Sequence, residues 1–182
     1  MNKKDLTIFK SFEDICRKTP SAPFLVSPSR AQKGMTTFSY QETFEKSNKI
    51  SAIFLDNGYG TNLRVATLLG STPAHYIVKL ALNKIGISVV PINPDYSPDE
   101  TAYLLEDSGS VLAICAEHYM KQLKTAMAHK DLSVPIVSYD EIETIHTLKS
   151  YSNFGAPIDG KTEASLLYTS GTTGRPKGCI LS

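Results

Sequence analysis

The chain has 182 residues, with 19 basic and 18 acidic side chains, a formal net charge of +1 and 41% hydrophobic content. That balance is that of a globular protein rather than a disordered one. It also argues against a nucleic-acid surface built on bulk charge, because no block of like charge is longer than the Lys3 and Lys4 pair.

Residues 7–18 place Ile8, Phe12, Ile15 and Cys16 at helical spacing, and Pro20 stops the pattern. Two short apolar runs, 23–28 and 36–39, flank the polar turn 29–34 and predict a small hairpin. Ser39 and Glu42 then form a capping box that opens a helix to about Asn57, with Gly58 as its left-handed cap. From Leu63 the pattern becomes regular. LRVATLLG reads as a buried strand, and Thr72 caps a helix that begins with Pro73 and ends at Gly86.

ISVVP is the next strand, and Ser97 and Glu100 form a second capping box, with Pro98 as the first helical residue and an end near Asp107. Residues 111–116, a helix over 117–129, a strand over 134–139 and a short helix over 139–149 extend the series. The polar stretch 150–163 reads as a surface loop. Strands that alternate with helices predict an α/β fold, a parallel sheet flanked by helices on both faces, with a possible small N-terminal hairpin.

The series leads to Ser165–Ser182, SLLYTSGTTGRPKGCILS. Glycines let a backbone approach a ligand closely, while hydroxyls and successive N–H groups offer donors to anionic oxygens. Lys177 adds a mobile positive charge and Arg175 a planar one. The common loop G-x-x-x-x-G-K-[ST] would need Gly at 176, where this chain has Pro176, so this is a different phosphate loop. A flexible Ser/Thr/Gly linker has the same composition, but the apolar runs LLY and CILS read as buried strands that hold both ends.

YTSGTTGRPKG, from Tyr168 to Gly178, closely resembles the signature loop of the adenylate-forming (AMP-binding) enzymes: acyl-CoA synthetases, adenylation domains of peptide synthetases and luciferases. Lys84–Asp107 is similar to the family's upstream motif, a glycine-terminated helix, a strand, P-x-N-P and a second helix. The resemblance implies that Thr169, Ser170, Gly171, Thr172, Thr173 and Lys177 contact the phosphates of ATP. Gly174, Pro176 and Gly178 would shape the turn. Asn93 stands where peptide-synthetase domains usually carry aspartate, which tilts the resemblance toward the acyl-CoA synthetase branch. Ile87 and Cys179 replace a small residue and a valine, and both read as packing changes.

The implied activity is ATP-dependent ligation of a small-molecule carboxylic acid to coenzyme A through an acyl-adenylate, with ATP, Mg²⁺ and coenzyme A as the small molecules. A carrier-protein-loading adenylation domain and an inactive α/β binding module remain the alternatives. The family's magnesium-binding acid, ribose-binding aspartate and mobile-domain lysine have no match before Ser182. Residues 1–182 are therefore expected to be an incomplete N-terminal AMP-binding domain, inactive alone, without the C-terminal domain and with apolar surface exposed near the end. No catalytic residue or metal ligand is assigned within them.

Cys16, Cys115 and Cys179 lack C-x-x-C spacing and read as small buried side chains in a reducing compartment. Lys10, Glu13 and Asp14 interrupt any signal-peptide core, and no run approaches a membrane span, so a cytoplasmic location without a transmembrane segment is expected. His75, His118, His129 and His146 have no metal spacing. Asp99, Glu100, Glu106 and Asp107 fit capping and solvation, and Tyr76, Tyr96 and Tyr103 fit packing.

Overall fold

The computed structural model describes residues 6–28, 34–145, 158–169 and 175–182. Thr7 opens helix α1 (Ile8–Lys18) by accepting the Lys10 N–H at 3.2 Å, and the helix buries Phe9, Phe12 and Cys16. Strands β1 (Pro23–Pro28) and β2 (Met35–Ser39) pair antiparallel, as the two apolar runs predict. In helix α2 (Tyr40–Asp56), Ser39 Oγ accepts the Glu42 N–H while the Glu42 carboxylate accepts the Ser39 N–H at 2.7 Å. That reciprocal pair satisfies donors left open at a helix start.

The main sheet is built from β3 (Arg64–Leu68), helix α3 (Pro73–Lys84), β4 (Ser88–Pro91), helix α4 (Pro98–Ser108), β5 (Leu112–Cys115), helix α5 (Met120–His129), β6 (Ile136–Ser138), helix α6 (Tyr139–Thr144), β7 (Ser165–Thr169) and β8 (Lys177–Leu181). Its strand order is β6-β5-β3-β4-β7-β8. The first five of these are parallel, and β8 is antiparallel to β7.

Alternation along the strands divides the core between two faces. Val65, Val89 and Ile114 pack with Ile50, Phe54 and Ile77 of α2 and α3. Ala66, Leu68 and Cys115 pack with Leu104, Leu105 and Leu123 of α4 and α5. Each fully buried Leu or Ile side chain contributes about 2 kcal/mol, and this two-sided burial is what makes the central strands read as apolar runs.

The α/β reading holds, with corrections. The CILS run forms a strand, but β8 runs antiparallel to β7 where the alternation predicts a parallel sheet. It is exposed along its length, with Ile180 and Leu181 at 58% and 44% exposure, which is the apolar surface expected near the end of these residues. Residues 170–176 are too few for a parallel crossover, which needs about a dozen residues or more, so the chain turns back as a hairpin. Cys179 is exposed with that strand, whereas Cys16 and Cys115 are buried.

Thr72 occupies the N-cap position of α3, but its hydroxyl donates to Leu69 O at 3.0 Å instead of capping an amide. The helix read over 117–129 begins as a 3-10 turn at Glu117–Tyr119. The hairpin turn 29–33, His146, the end of the 139–149 helix and most of the 150–163 loop lie outside the described residues. Among the described residues, no helix is long and apolar enough to cross a membrane.

Candidate functional site

Strand β7 ends at Thr169 and β8 begins at Lys177, and these two residues are partners in the antiparallel register. Opposed residues of such a pair project from the same face, with Cβ atoms about 5 Å apart. The Thr169 hydroxyl and the Lys177 ammonium therefore share one side of the loop mouth, and both residues are exposed. Of the six loop residues singled out from the sequence, the structure brings these two together. Ser170, Gly171, Thr172 and Thr173, with Gly174, lie outside the described residues. The mouth sits past the C-terminal end of a strand in a parallel sheet, the edge at which open α/β sheets bind ligands.

The two stretches that carry the family resemblance are neighbours in space. β4 of the upstream motif pairs with β7 at Val89 and Ser165, and α4 of the same motif faces Tyr168. Tyr168 Oη donates to Asp107 Oδ2 at 2.6 Å, and Tyr103 Oη donates to Asp107 Oδ1 at 3.2 Å. Burial first, and then the Asp107 carboxylate, raise both phenols above the ordinary tyrosine value. Arg175, on the returning side of the loop, lies over the Tyr103 ring at 5.4 Å from its centroid.

The start of β7 is held as firmly as its end. Arg64 donates from Nε to Glu163 Oε1 at 2.7 Å, from Nη2 to Glu163 Oε2 at 2.9 Å, and from Nη1 to Ser108 O at 3.1 Å. Asn83, buried in α3, donates from Nδ2 to Ile87 O at 3.1 Å and to Ala164 O at 2.8 Å. Two strands and two helices thus converge on the residues that precede the loop.

Gly178 faces Tyr168 across the pair, and a Cβ there would lie 2.9 Å from Leu166 Cδ1. A glycine lets the returning strand lie close against the ring of Tyr168. A cavity of about 380 Å³, bordered by Thr7, Ser11, Asn83, Ile158 and Glu163, lies near the start of β7 and includes none of the stem residues Tyr168, Thr169 or Lys177.

The other candidates keep their plain roles. His129 Nδ1 pairs with Asp99 Oδ1 at 3.1 Å, and burial lowers His75 below the ordinary histidine value. Glu100 caps α4, and Glu106 meets Lys130 at 2.5 Å. Among the described residues, no group of three or more His, Cys, Asp or Glu is placed to hold a metal ion.

Asp107 is the residue whose role the sequence did not reveal. Read there as a solvated or capping acid, it instead joins two tyrosines, and the helical pattern around it carries no sign of a partner beyond its own helix. Asn93 Oδ1 accepts the Asp95 N–H at 3.1 Å in a local turn. An aspartate there would accept the same bond.

The family model described as "AMP-binding enzyme" matches residues 12–182. The chain is 28% identical over 179 residues to tyrocidine synthase 2 of Brevibacillus parabrevis, which covers 98% of this chain and 5% of that protein. It is 30% identical over 146 residues to a dimodular nonribosomal peptide synthase of Bacillus subtilis, covering 79% of this chain and 6% of that protein. The fold matches o-succinylbenzoate coenzyme A synthetase from Bacillus subtilis, solved in complex with AMP, with a TM-score of 0.75 at 23% identity, over 92% of this chain and 40% of that one. The chain therefore spans a small part of the length of each of these curated relatives.

Proposed function

Since this chain belongs to the AMP-binding enzyme family, we propose that it forms the phosphate-binding end of an ATP-dependent enzyme that activates a small carboxylic acid as its adenylate. The observation that carries the proposal is the pairing of Thr169 with Lys177 at the mouth of the glycine-rich loop. The acid's carboxylate oxygen attacks the α-phosphorus of ATP, an acyl–AMP bond forms, and the bond to pyrophosphate breaks. Lys177 and the hydroxyls and amides of Thr169, Ser170, Gly171, Thr172 and Thr173 hold the β and γ oxygens, where negative charge grows as pyrophosphate leaves.

In this reading Mg²⁺ binds mainly through the ATP phosphate oxygens, as it commonly does, and neutralises part of their charge. No described cluster of this chain would hold it unaided. Residues 1–182 then act as the first part of an AMP-binding domain, and the ribose and the acid are held by groups elsewhere in the protein.

For the second half-reaction, we propose transfer of the acyl group to the thiol of a carrier protein, with release of AMP and a proton. The peptide synthases among the relatives favour this acceptor. Transfer to coenzyme A is the second reading, and the likeness to a coenzyme A synthetase supports it at the level of fold.

The test uses the intact protein. Acid-dependent ATP–pyrophosphate exchange is measured with a panel of amino acids and other carboxylic acids, followed by thioester formation on a thiol-bearing carrier protein and on free coenzyme A. The proposal expects exchange with at least one acid and a thioester on the carrier. A coenzyme A thioester instead would establish the second reading, and absence of exchange with every acid would leave an inert α/β module.

A further inference from the structure

Tyr168 and Arg175 stand on opposite sides of the glycine-rich loop, yet both rest on α4, Tyr168 on Asp107 and Tyr103, and Arg175 on Tyr103. The carboxylate of Asp107 accepts from Tyr168 at 2.6 Å and from Tyr103 at 3.2 Å, one phenol on each oxygen. The two tyrosine rings meet edge to face with centroids 6.5 Å apart. The Tyr103 ring in turn lies under the Arg175 guanidinium, and Lys130 Nζ is 5.5 Å from its centroid.

Helix α4 on its own gives no reason for this arrangement. Asp107 lies in the last turn, which has no basic residue, and a carboxylate there opposes the negative end of the helix dipole. Two phenolic donors offset that cost. They come from Tyr103, one turn earlier in the same helix, and from Tyr168, which stands directly before Thr169.

We propose that Asp107 is a positioning residue for the loop. Through Tyr168 it fixes the outgoing stem, and through Tyr103 it orients the ring on which Arg175 of the returning stem rests. One carboxylate thus sets the separation of the two stems and holds Thr169 and Lys177 face to face. This inference rests on the phosphate-binding reading of the loop. Arg175 is assigned to docking the loop on α4, while Lys177 is the cation offered to the ligand.

The consequence is selective. A stem displaced by a fraction of an ångström misplaces groups aimed at the nucleotide phosphates and leaves the binding of the acid alone. A carboxylate that merely stabilised the helix would lower the amount of folded protein and shift no individual Michaelis constant.

The experiment compares wild type with Asp107→Ala, Asp107→Asn and Tyr168→Phe in the intact protein. Amide hydrogen exchange is followed in 165–169 and 177–181, with the central strand 64–68 as internal reference. Asp107→Ala should speed exchange in the two stems about tenfold with the reference unchanged, which is the loss expected for hydrogen bonds to a charged group. Asp107→Asn can still bond both phenols and should recover most of the protection. Tyr168→Phe keeps the ring and should lose part of it.

In ATP–pyrophosphate exchange, Asp107→Ala should raise KM for ATP about tenfold and leave KM for the acid within about twofold, with Asn again restoring it. Unchanged stem protection in Asp107→Ala would overturn the proposal, as would equal changes in both Michaelis constants. If the wild-type protein shows no exchange with any acid, the phosphate reading fails on its own, and stem protection still decides whether Asp107 anchors the loop.

Discussion

Arg64 grips Glu163 with two parallel bonds, Nε to Oε1 at 2.7 Å and Nη2 to Oε2 at 2.9 Å, and so ties the start of β3 to the residues that lead into β7. The pair is partly shielded, with side-chain exposures of 31% and 26%, which places it above the ordinary surface ion pair in strength.

Glu163→Gln should cost about 2 kcal/mol in urea unfolding at pH 7, the loss of charge-assisted bonds. The Arg64 hydrogen bonds hold the Glu163 carboxyl below its ordinary range. In the unfolded chain it returns to about 4.3. The stabilisation is therefore complete above about pH 5 and is lost as the pH falls through the lower, folded value. The difference between wild type and Glu163→Gln should shrink toward zero in strong acid, and a difference that stayed constant from neutral pH to acid would refute the assignment.

Periodicity and capping chemistry made most of this fold readable. Ser39 with Glu42, and Ser97 with Glu100, mark two helix starts that the structure reproduces bond for bond. Alternation of strand and helix predicts a parallel sheet, because local patterns report which faces are buried. The direction of β8 was not legible from its apolar run, since CILS reads alike whether it is buried or at an edge. The hairpin follows from the short connection across residues 170–176 together with the pairing of Tyr168 and Gly178. The Asp107 contact was hidden for another reason. Its partner Tyr168 is far away in sequence, and the two meet through the pairing of β4 with β7 in the folded sheet. In the loop itself, residue types carry only the expectation of phosphate binding, and the juxtaposition of Thr169 and Lys177 comes from strand register.

Two glycines should respond differently to alanine. Gly86 has φ +74, and a Cβ there would meet Thr61 Cγ2 at 2.6 Å. Gly86→Ala combines left-handed backbone with a clash and should cost about 2 to 3 kcal/mol in thermal or urea unfolding. Gly178 is not left-handed, and the nearest atom to its added Cβ is the tip of the Leu166 side chain. Gly178→Ala should cost about 1 kcal/mol, since that tip can shift. Equal losses at the two positions would contradict this account.

Ile87 and Cys179 share a reading as packing changes, and only Ile87 has a buried side chain. Ile87 is fully buried in the core under α2 and α3, so Ile87→Ala should cost about 3 kcal/mol. Cys179 is exposed on β8, and Cys179→Val should stay within about 0.5 kcal/mol of wild type. Denaturant midpoints at constant slope provide the check.

The central claim is that the Thr169 and Lys177 pair closes a loop that holds the departing pyrophosphate. Its most direct test is acid-dependent ATP–pyrophosphate exchange in the intact protein, wild type beside Lys177→Ala, with folding verified by the unfolding transition. Loss of a charge aimed at the leaving group should slow exchange about 10- to 100-fold while the variant remains folded. An unchanged exchange rate in folded Lys177→Ala would contradict the claim.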